Sequence, residues 1–170
     1  LFPSEICSGY FGTKRFDRKS DGRRVHIISA GGLLETSHRY PNLDYNELMK
    51  LTLLLTRDMQ EVKKMYDRMC FNVYAHNRDD HSKNFSFLYD EDEMRWIVSP
   101  AYDLTYSSSQ GGEHATTISG ERKNPGREHI LQVAKIAGID ASYAKARVRE
   151  IEEVVRVRHT TFIECCFKAF

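Results

Sequence analysis

Residues 77–84 read Asn-Arg-Asp-Asp-His-Ser-Lys-Asn, and residues 99–103 read Ser-Pro-Ala-Tyr-Asp. Asp79 and Asn84 stand five positions apart, the spacing of the loop H-R-D-x-x-x-x-N, with Asn77 in place of the His. The chemistry that suits this set is phosphoryl transfer, in which positioning and charge neutralisation carry most of the catalysis. Asp79 can orient an acceptor hydroxyl and take its proton as the catalytic base. Asn84 offers a neutral oxygen, and Asp103 a charged one, to Mg2+, a hard cation that prefers oxygen ligands. Lys83 can offset the charge that develops on a transferred phosphate. For Lys83 a solvated surface lysine is an equal alternative.

A plainer reading treats the whole cluster as a polar turn, because Asp, Asn and His cap and tolerate unusual backbone angles. A lone D-x-x-x-x-N is a weak signal; its setting between a helix and a hairpin, with Asp103 beyond, strengthens it. His76 and His81 also raise a metal phosphohydrolase of the HD type. That family places His directly before Asp, whereas Asp80-His81 runs in the reverse order, and no H-E-x-x-H occurs. His81 is therefore expected to hold the loop by hydrogen bonding to backbone or to a neighbouring carboxylate.

The elements that must position these residues follow from patterning. Asp44 with Glu47, and Asp58 with Glu61, resemble capping boxes that open two helices. The first runs to Leu55 and, apolar on nearly every side over 51–55, is expected to be fully buried. The second repeats Val62, Met65, Tyr66, Met69 and Val73 at helical spacing and delivers the chain into the loop 76–84. Residues 85–89 and 94–98 form a hairpin around an acidic turn. Upstream, 10–18 and 24–29 read as strands around a polar turn, Gly31-Gly32 breaks regular structure, and 35–43 reads as a loop. Downstream, 105–127 is a loop with a short strand at 116–119. Two helices follow near 127–137 and 141–160, separated by Gly138. In the last, Val148, Ile151, Val155 and Phe162 form one apolar stripe suited to core packing.

The chain of 170 residues is one domain's worth, and its 41% hydrophobic content is ordinary for a globular protein. A net charge of +1 argues against a dedicated polyanion binder, so direct nucleic-acid binding is not expected. No apolar run approaches a membrane span, and no secretory signal is visible. Cys7 and Cys70 stand apart and Cys165-Cys166 are adjacent, which reads as reduced thiols in a cytoplasmic protein. The first residue is Leu1, which reads as a fragment, a processed chain or a trimmed domain.

Asn77-x-Asp79-x-His81-x-Lys83-Asn84, followed by 99–105 as Ser-Pro-Ala-Tyr-Asp-Leu-Thr, resembles the C-terminal part of the HipA-like serine/threonine kinases. Lys14-Arg15-Phe16-Asp17-Arg18 before a Val-His-Ile strand is similar to their hinge. The resemblance implies an α+β, predominantly helical C-lobe of a protein-kinase-like fold, with a small β-hairpin and a remnant of the N-lobe sheet. It places that remnant at 1–32 and the helical lobe at 33–170. It implies ATP and Mg2+ as cofactors, Asp79 as base, and Asn84 and Asp103 as metal ligands. Lys14 and Phe16 would meet the adenine, and Asp17 would approach the polar side of the nucleotide. His81 and Lys83 complete the catalytic set. Family members are typically toxins that phosphorylate translation proteins such as aminoacyl-tRNA synthetases, held by a DNA-binding antitoxin. The departures matter equally. No glycine-rich phosphate loop or strand lysine occurs before the hinge, and Leu-Thr stands where protein kinases have Phe-Gly after the metal-binding Asp. The isolated chain is thus expected to be inactive without an N-lobe supplied in cis or trans. The rival reading is a non-catalytic interaction module or half-kinase that binds an antitoxin or partner chain.

Overall fold

The computed structural model describes the backbone of residues 5–6, 12–36 and 43–167, with side chains as far as residue 157 except that of Gln110. It is an α+β fold, mostly helical, with a three-stranded antiparallel sheet ordered β1-β2-β3. The elements are β1 (Ile27–Ser29), α1 (Ala30–Leu33), α2 (Tyr45–Thr56), α3 (Met59–Tyr74), β2 (Ser86–Asp90), β3 (Arg95–Val98), α4 (Arg127–Ile136) and α5 (Ala141–Phe167).

The helix starts follow the expected chemistry. Asp44 and Asp58 both sit in extended backbone, and their carboxylates accept from the amides of Asn46 and Gln60 at 2.8 and 2.7 Å. The second half of the box at Asp58 is used otherwise. Glu61 is buried and accepts from the Val98 amide at 2.7 Å and from Lys64, so it ties α3 to β3. The helix α3 is the centre of the core. Val62, Met65, Tyr66, Met69 and Val73 are all buried, joined by Val133, Ala144, Val148 and Ile151 from α4 and α5. Each buried Val, Ile or Met among them is worth about 1.5–3 kcal/mol. Arg147 on α5 makes a two-pronged bond to Asp67 on α3, at 3.0 and 2.9 Å, which sets how the two helices meet. Between α4 and α5, Gly138 has φ +71°, and its amide and that of Ile139 return to Lys135 and Ala134, closing a Schellman motif.

Several expectations need correction. The Leu51–Leu55 segment is not buried all round, since Leu53 is 40% and Leu54 76% exposed. An apolar run marks a helix there, while the face turned to the core is set by Leu48, Met49 and Thr52. Gly31 and Gly32 lie inside the short helix α1, capped by the Ser29 hydroxyl, instead of breaking structure. The strand expected at 24–29 is only β1, and 12–18 contributes a single bridge, Arg18 with Arg24, around the turn. Residues 116–119 make isolated bridges to Asp44 and Glu121 and no strand. The hairpin holds as expected, with Phe87 opposite Val98 and Asp90 opposite Arg95. Residues 10–11 and 37–42, the Phe162 side chain, Cys7 and the side chains of Cys165 and Cys166 lie outside the described residues; Cys70 is a buried free thiol. No helix among the described residues is long and apolar enough to cross a membrane.

Candidate active site

The chain leaves α3 through a second Schellman motif. His76 takes the left-handed conformation (φ +51°), and the amides of His76 and Asn77 return to Val73 and Asn72. This turn leads into residues 77–81, where Asn77 forms an isolated bridge with Ser107. Within this stretch Asn77 and Asp80 are buried, while the Asp79 side chain is 61% exposed. Residues 82–84 close into one turn of 3-10 helix that leads into β2.

Asn84 binds back onto the loop. Its Nδ2 donates to the Asp79 carbonyl at 2.8 Å. That acceptor dictates which end of the amide is nitrogen, so Oδ1 is left without a protein partner among the described residues and fits a hard cation. Asp103 is exposed, with φ +54°. For a residue with a Cβ this left-handed backbone is unusual and costs on the order of 1 kcal/mol, and such strain concentrates at functional sites. The residue before it is firmly tied. Tyr102 donates its hydroxyl to the Lys83 carbonyl and shares a 2.6 Å hydrogen bond with Ser86 Oγ. Arg68 on α3 donates to the Ser99 carbonyl at 2.6 Å, and burial lowers the pKa of its guanidinium. The segment 99–103 is thereby fastened to both sides of Asn84. Lys83 is exposed, and Gly31 lets α1 approach it: a Cβ on Gly31 would stand 2.8 Å from Ser82 Oγ and 3.5 Å from Lys83 Cγ.

The hinge residues divide. The Phe16 ring packs 5.7 Å from the Tyr102 ring and so adjoins the segment 99–103. Lys14 is exposed. Asp17 is held by Arg15 at 2.6 Å and Arg18 at 2.7 Å, and the hydrogen bond from Arg15 is the main cause of a pKa lowered to about 2. Its carboxylate is already neutralised by its own segment. His81 departs from expectation. Its Nε2 is 3.9 Å from Asp79 Oδ1, beyond hydrogen-bond reach, and its buried Nδ1 has no partner among the described residues. The expected side-chain hydrogen bond to backbone or carboxylate is thus not made among the described residues.

What holds the loop is a set of residues that motif spacing does not single out. Asp80 is fully buried and accepts from Tyr45 Oη at 2.9 Å and from the Thr116 amide at 3.1 Å, with His114 Nδ1 at 3.0 Å. Asn72 donates to Tyr45 Oη, and Asn77 donates to Asn72. Burial, then the Asp80 charge, raises the Tyr45 pKa well above that of an ordinary phenol, which keeps it a donor. Asn72 was detectable as a polar residue within the apolar stripe of α3. His114 and Thr116 carry no local signal.

The arrangement therefore pins the backbone while leaving reactive ends unengaged. Among the described residues, the carboxylate of Asp103 and the amine of Lys83 have no internal hydrogen bond or ion pair. No group of three or more His, Cys, Asp and Glu forms a ready cation site among them. An amide and a carboxylate that share Mg2+ with substrate phosphates need no such group, because Mg2+ commonly takes one or two protein ligands.

Comparison with known proteins bears on the family and the fold. The family model described as HipA-like C-terminal domain matches residues 2–158. Among solved structures, the fold is similar to a chain in the Shewanella oneidensis MR-1 complex of toxin–antitoxin proteins HipA and HipB with operator DNA. The TM-score is 0.69 at 20% identity, over 84% of this chain and 39% of that one. The present chain thus spans well under half the length of that relative. No curated protein matches. The chain belongs to the family of HipA-like C-terminal domains.

Proposed function

We infer that this chain is the catalytic lobe of a HipA-like serine/threonine kinase, which transfers the γ-phosphate of ATP to a protein hydroxyl. The observation that carries the reading is the contrast at the loop: the Asp79 carboxylate is 61% exposed, and among the described residues the Lys83 amine and the Asp103 carboxylate have no hydrogen bond or ion pair, while Asn84, Tyr102 and Arg68 fix the backbone beneath them. Asp79 orients the acceptor hydroxyl and takes its proton. Asn84 Oδ1 and Asp103 are the groups that would hold Mg2+, and Phe16 and Lys14 lie on the segment that would meet the adenine. Mg2+ with ATP supplies the phosphoryl group and the neutralisation of phosphate charge. Lys83 offsets charge on the transferred group. His81 lies beside the base, with Nε2 3.9 Å from Asp79 Oδ1 and its carbonyl accepting from the Asn84 amide at 2.8 Å.

The 170 residues contain no glycine-rich phosphate loop, so nucleotide affinity in our reading depends on an N-lobe in cis or trans, of which residues 1–32 are a remnant. The Shewanella relative is described with an antitoxin and operator DNA. That supports a toxin held by a DNA-binding antitoxin; the family resemblance adds a cytoplasmic location and a translation protein such as an aminoacyl-tRNA synthetase as substrate. The Shewanella complex also supports a second reading, in which this lobe contributes chiefly an antitoxin-binding surface.

Calorimetry on the full-length protein tests the metal assignment. Asp103→Asn should weaken ATP binding in Mg2+ by about 10-fold or more, while binding in EDTA stays unchanged. Equal affinity of wild type and variant in Mg2+ would remove Asp103 from the site.

A further inference from the structure

We propose that Asp80, adjacent to the reactive carboxylate but facing the opposite way, is the positioning residue that aims Asp79; this rests on the phosphoryl-transfer reading above. Asp80 is fully buried, yet Lys and Arg supply none of its contacts. Its Oδ1 accepts from the Thr116 amide at 3.1 Å. Its Oδ2 faces Tyr45 Oη at 2.9 Å and His114 Nδ1 at 3.0 Å. Its carbonyl accepts from the Thr116 hydroxyl. Four contacts from two distant segments, α2 and the 114–116 strip, thus converge on one loop residue.

The network then returns to the loop on the other side of Asp79. Tyr45 Oη accepts from Asn72 Nδ2 at 2.9 Å, and Asn72 Oδ1 accepts from Asn77 Nδ2 at 3.0 Å. The amide of Ala115 adds a bond to the Arg78 carbonyl at 3.0 Å. Residues 77, 78 and 80 are all held, and Asn84 holds the carbonyl of Asp79 itself. Asp79 is the one residue of this stretch whose side chain is left outside. Asp80 is fully buried while the side chain of its neighbour Asp79 is 61% exposed, so anchoring Asp80 inward holds Asp79 outward. A loop slipped by a fraction of its pleat would misplace the base by about 1 Å, an error that can cost on the order of 100-fold in rate.

The assignment separates orientation from stability, and steady-state kinetics on the full-length protein can read both. We expect Asp80→Ala, assayed where circular dichroism shows it folded, to lose kcat by on the order of 100-fold while KM for ATP stays within about 2-fold. Asp80→Asn keeps one acceptor oxygen and the side-chain shape, so it should recover part of that loss. Should Asp80→Ala fail to fold, Tyr45→Phe removes a single hydroxyl donor to Asp80 and should lower kcat by about 3-fold or more at unchanged KM. A buried aspartate that only stabilised the fold would lower Tm and leave kcat of the folded protein intact. Wild-type kcat in folded Asp80→Ala, or in Tyr45→Phe if the former does not fold, overturns the inference. Asp79→Asn in the same assay separates the two claims. If Asp79→Asn is inactive while folded Asp80→Ala is fully active, only the positioning role fails. If Asp79→Asn is fully active, the phosphoryl-transfer reading itself fails.

Discussion

The side-chain amide of Asn84 donates to the backbone carbonyl of Asp79 at 2.8 Å, so the proposed metal ligand also braces the proposed base. The two positions of the D-x-x-x-x-N spacing are joined by a physical bond as well as by sequence distance. A carboxylate cannot make that donation. Asn84→Asp should therefore lose activity even at saturating Mg2+, despite offering the metal a stronger charge. Part of the loop's stability, about 1 kcal/mol, should go with the hydrogen bond. Activity restored by raising Mg2+ would show that Asn84 acts only as a ligand.

Gly31 is needed for its lack of a side chain. Gly31→Ala places Cβ 2.8 Å from Ser82 Oγ and should destabilise the protein by about 1–3 kcal/mol. Denaturant melts of Gly31→Ala, Ser82→Ala and the double variant check this. The double variant should regain much of the loss, because the clashing hydroxyl is gone. Strictly additive losses would place the strain elsewhere.

Much of this was legible in the sequence, and the failures have physical causes. Asp44 and Asp58 announced their helices because capping is local chemistry. The hairpin and the loop were legible because alternation and turn residues are local too. Leu53 and Leu54 misled because apolar character does not say which side of a helix is covered. Glu61 looked like half of a capping box, yet it bonds Val98, 37 residues away. Asp80 and His114 are 34 residues apart, and nothing near either residue signals the other. The proposed reactive groups stand out by spacing, while the groups proposed to aim them come together only in the tertiary fold.

Asp17 gives a pH prediction with a definite sign. Its pKa is lowered from 3.8 to about 2, chiefly by the Arg15 hydrogen bond. The stabilisation it contributes is complete above the ordinary value and disappears as pH falls through about 2. Wild type should lose Tm more steeply than Asp17→Asn across this interval. Identical pH profiles would mean the ion pairs with Arg15 and Arg18 do not persist in solution.

Cys70 should be chemically quiet. Burial pushes its thiol pKa up to about 12, so little thiolate forms at neutral pH. Iodoacetamide labelling followed by mass spectrometry should find Cys70 modified at least about 100-fold more slowly than in urea-unfolded protein. Rapid labelling of the folded protein would contradict the packing of α3 described above.

The central claim is that Asp79 is the base of a phosphoryl transfer. Single-turnover kinetics of Asp79→Asn in the full-length protein, with bound ATP and Mg2+, tests it most directly. The account predicts a transfer rate reduced by about 100- to 10,000-fold with ATP affinity nearly unchanged. A transfer rate equal to wild type would contradict it.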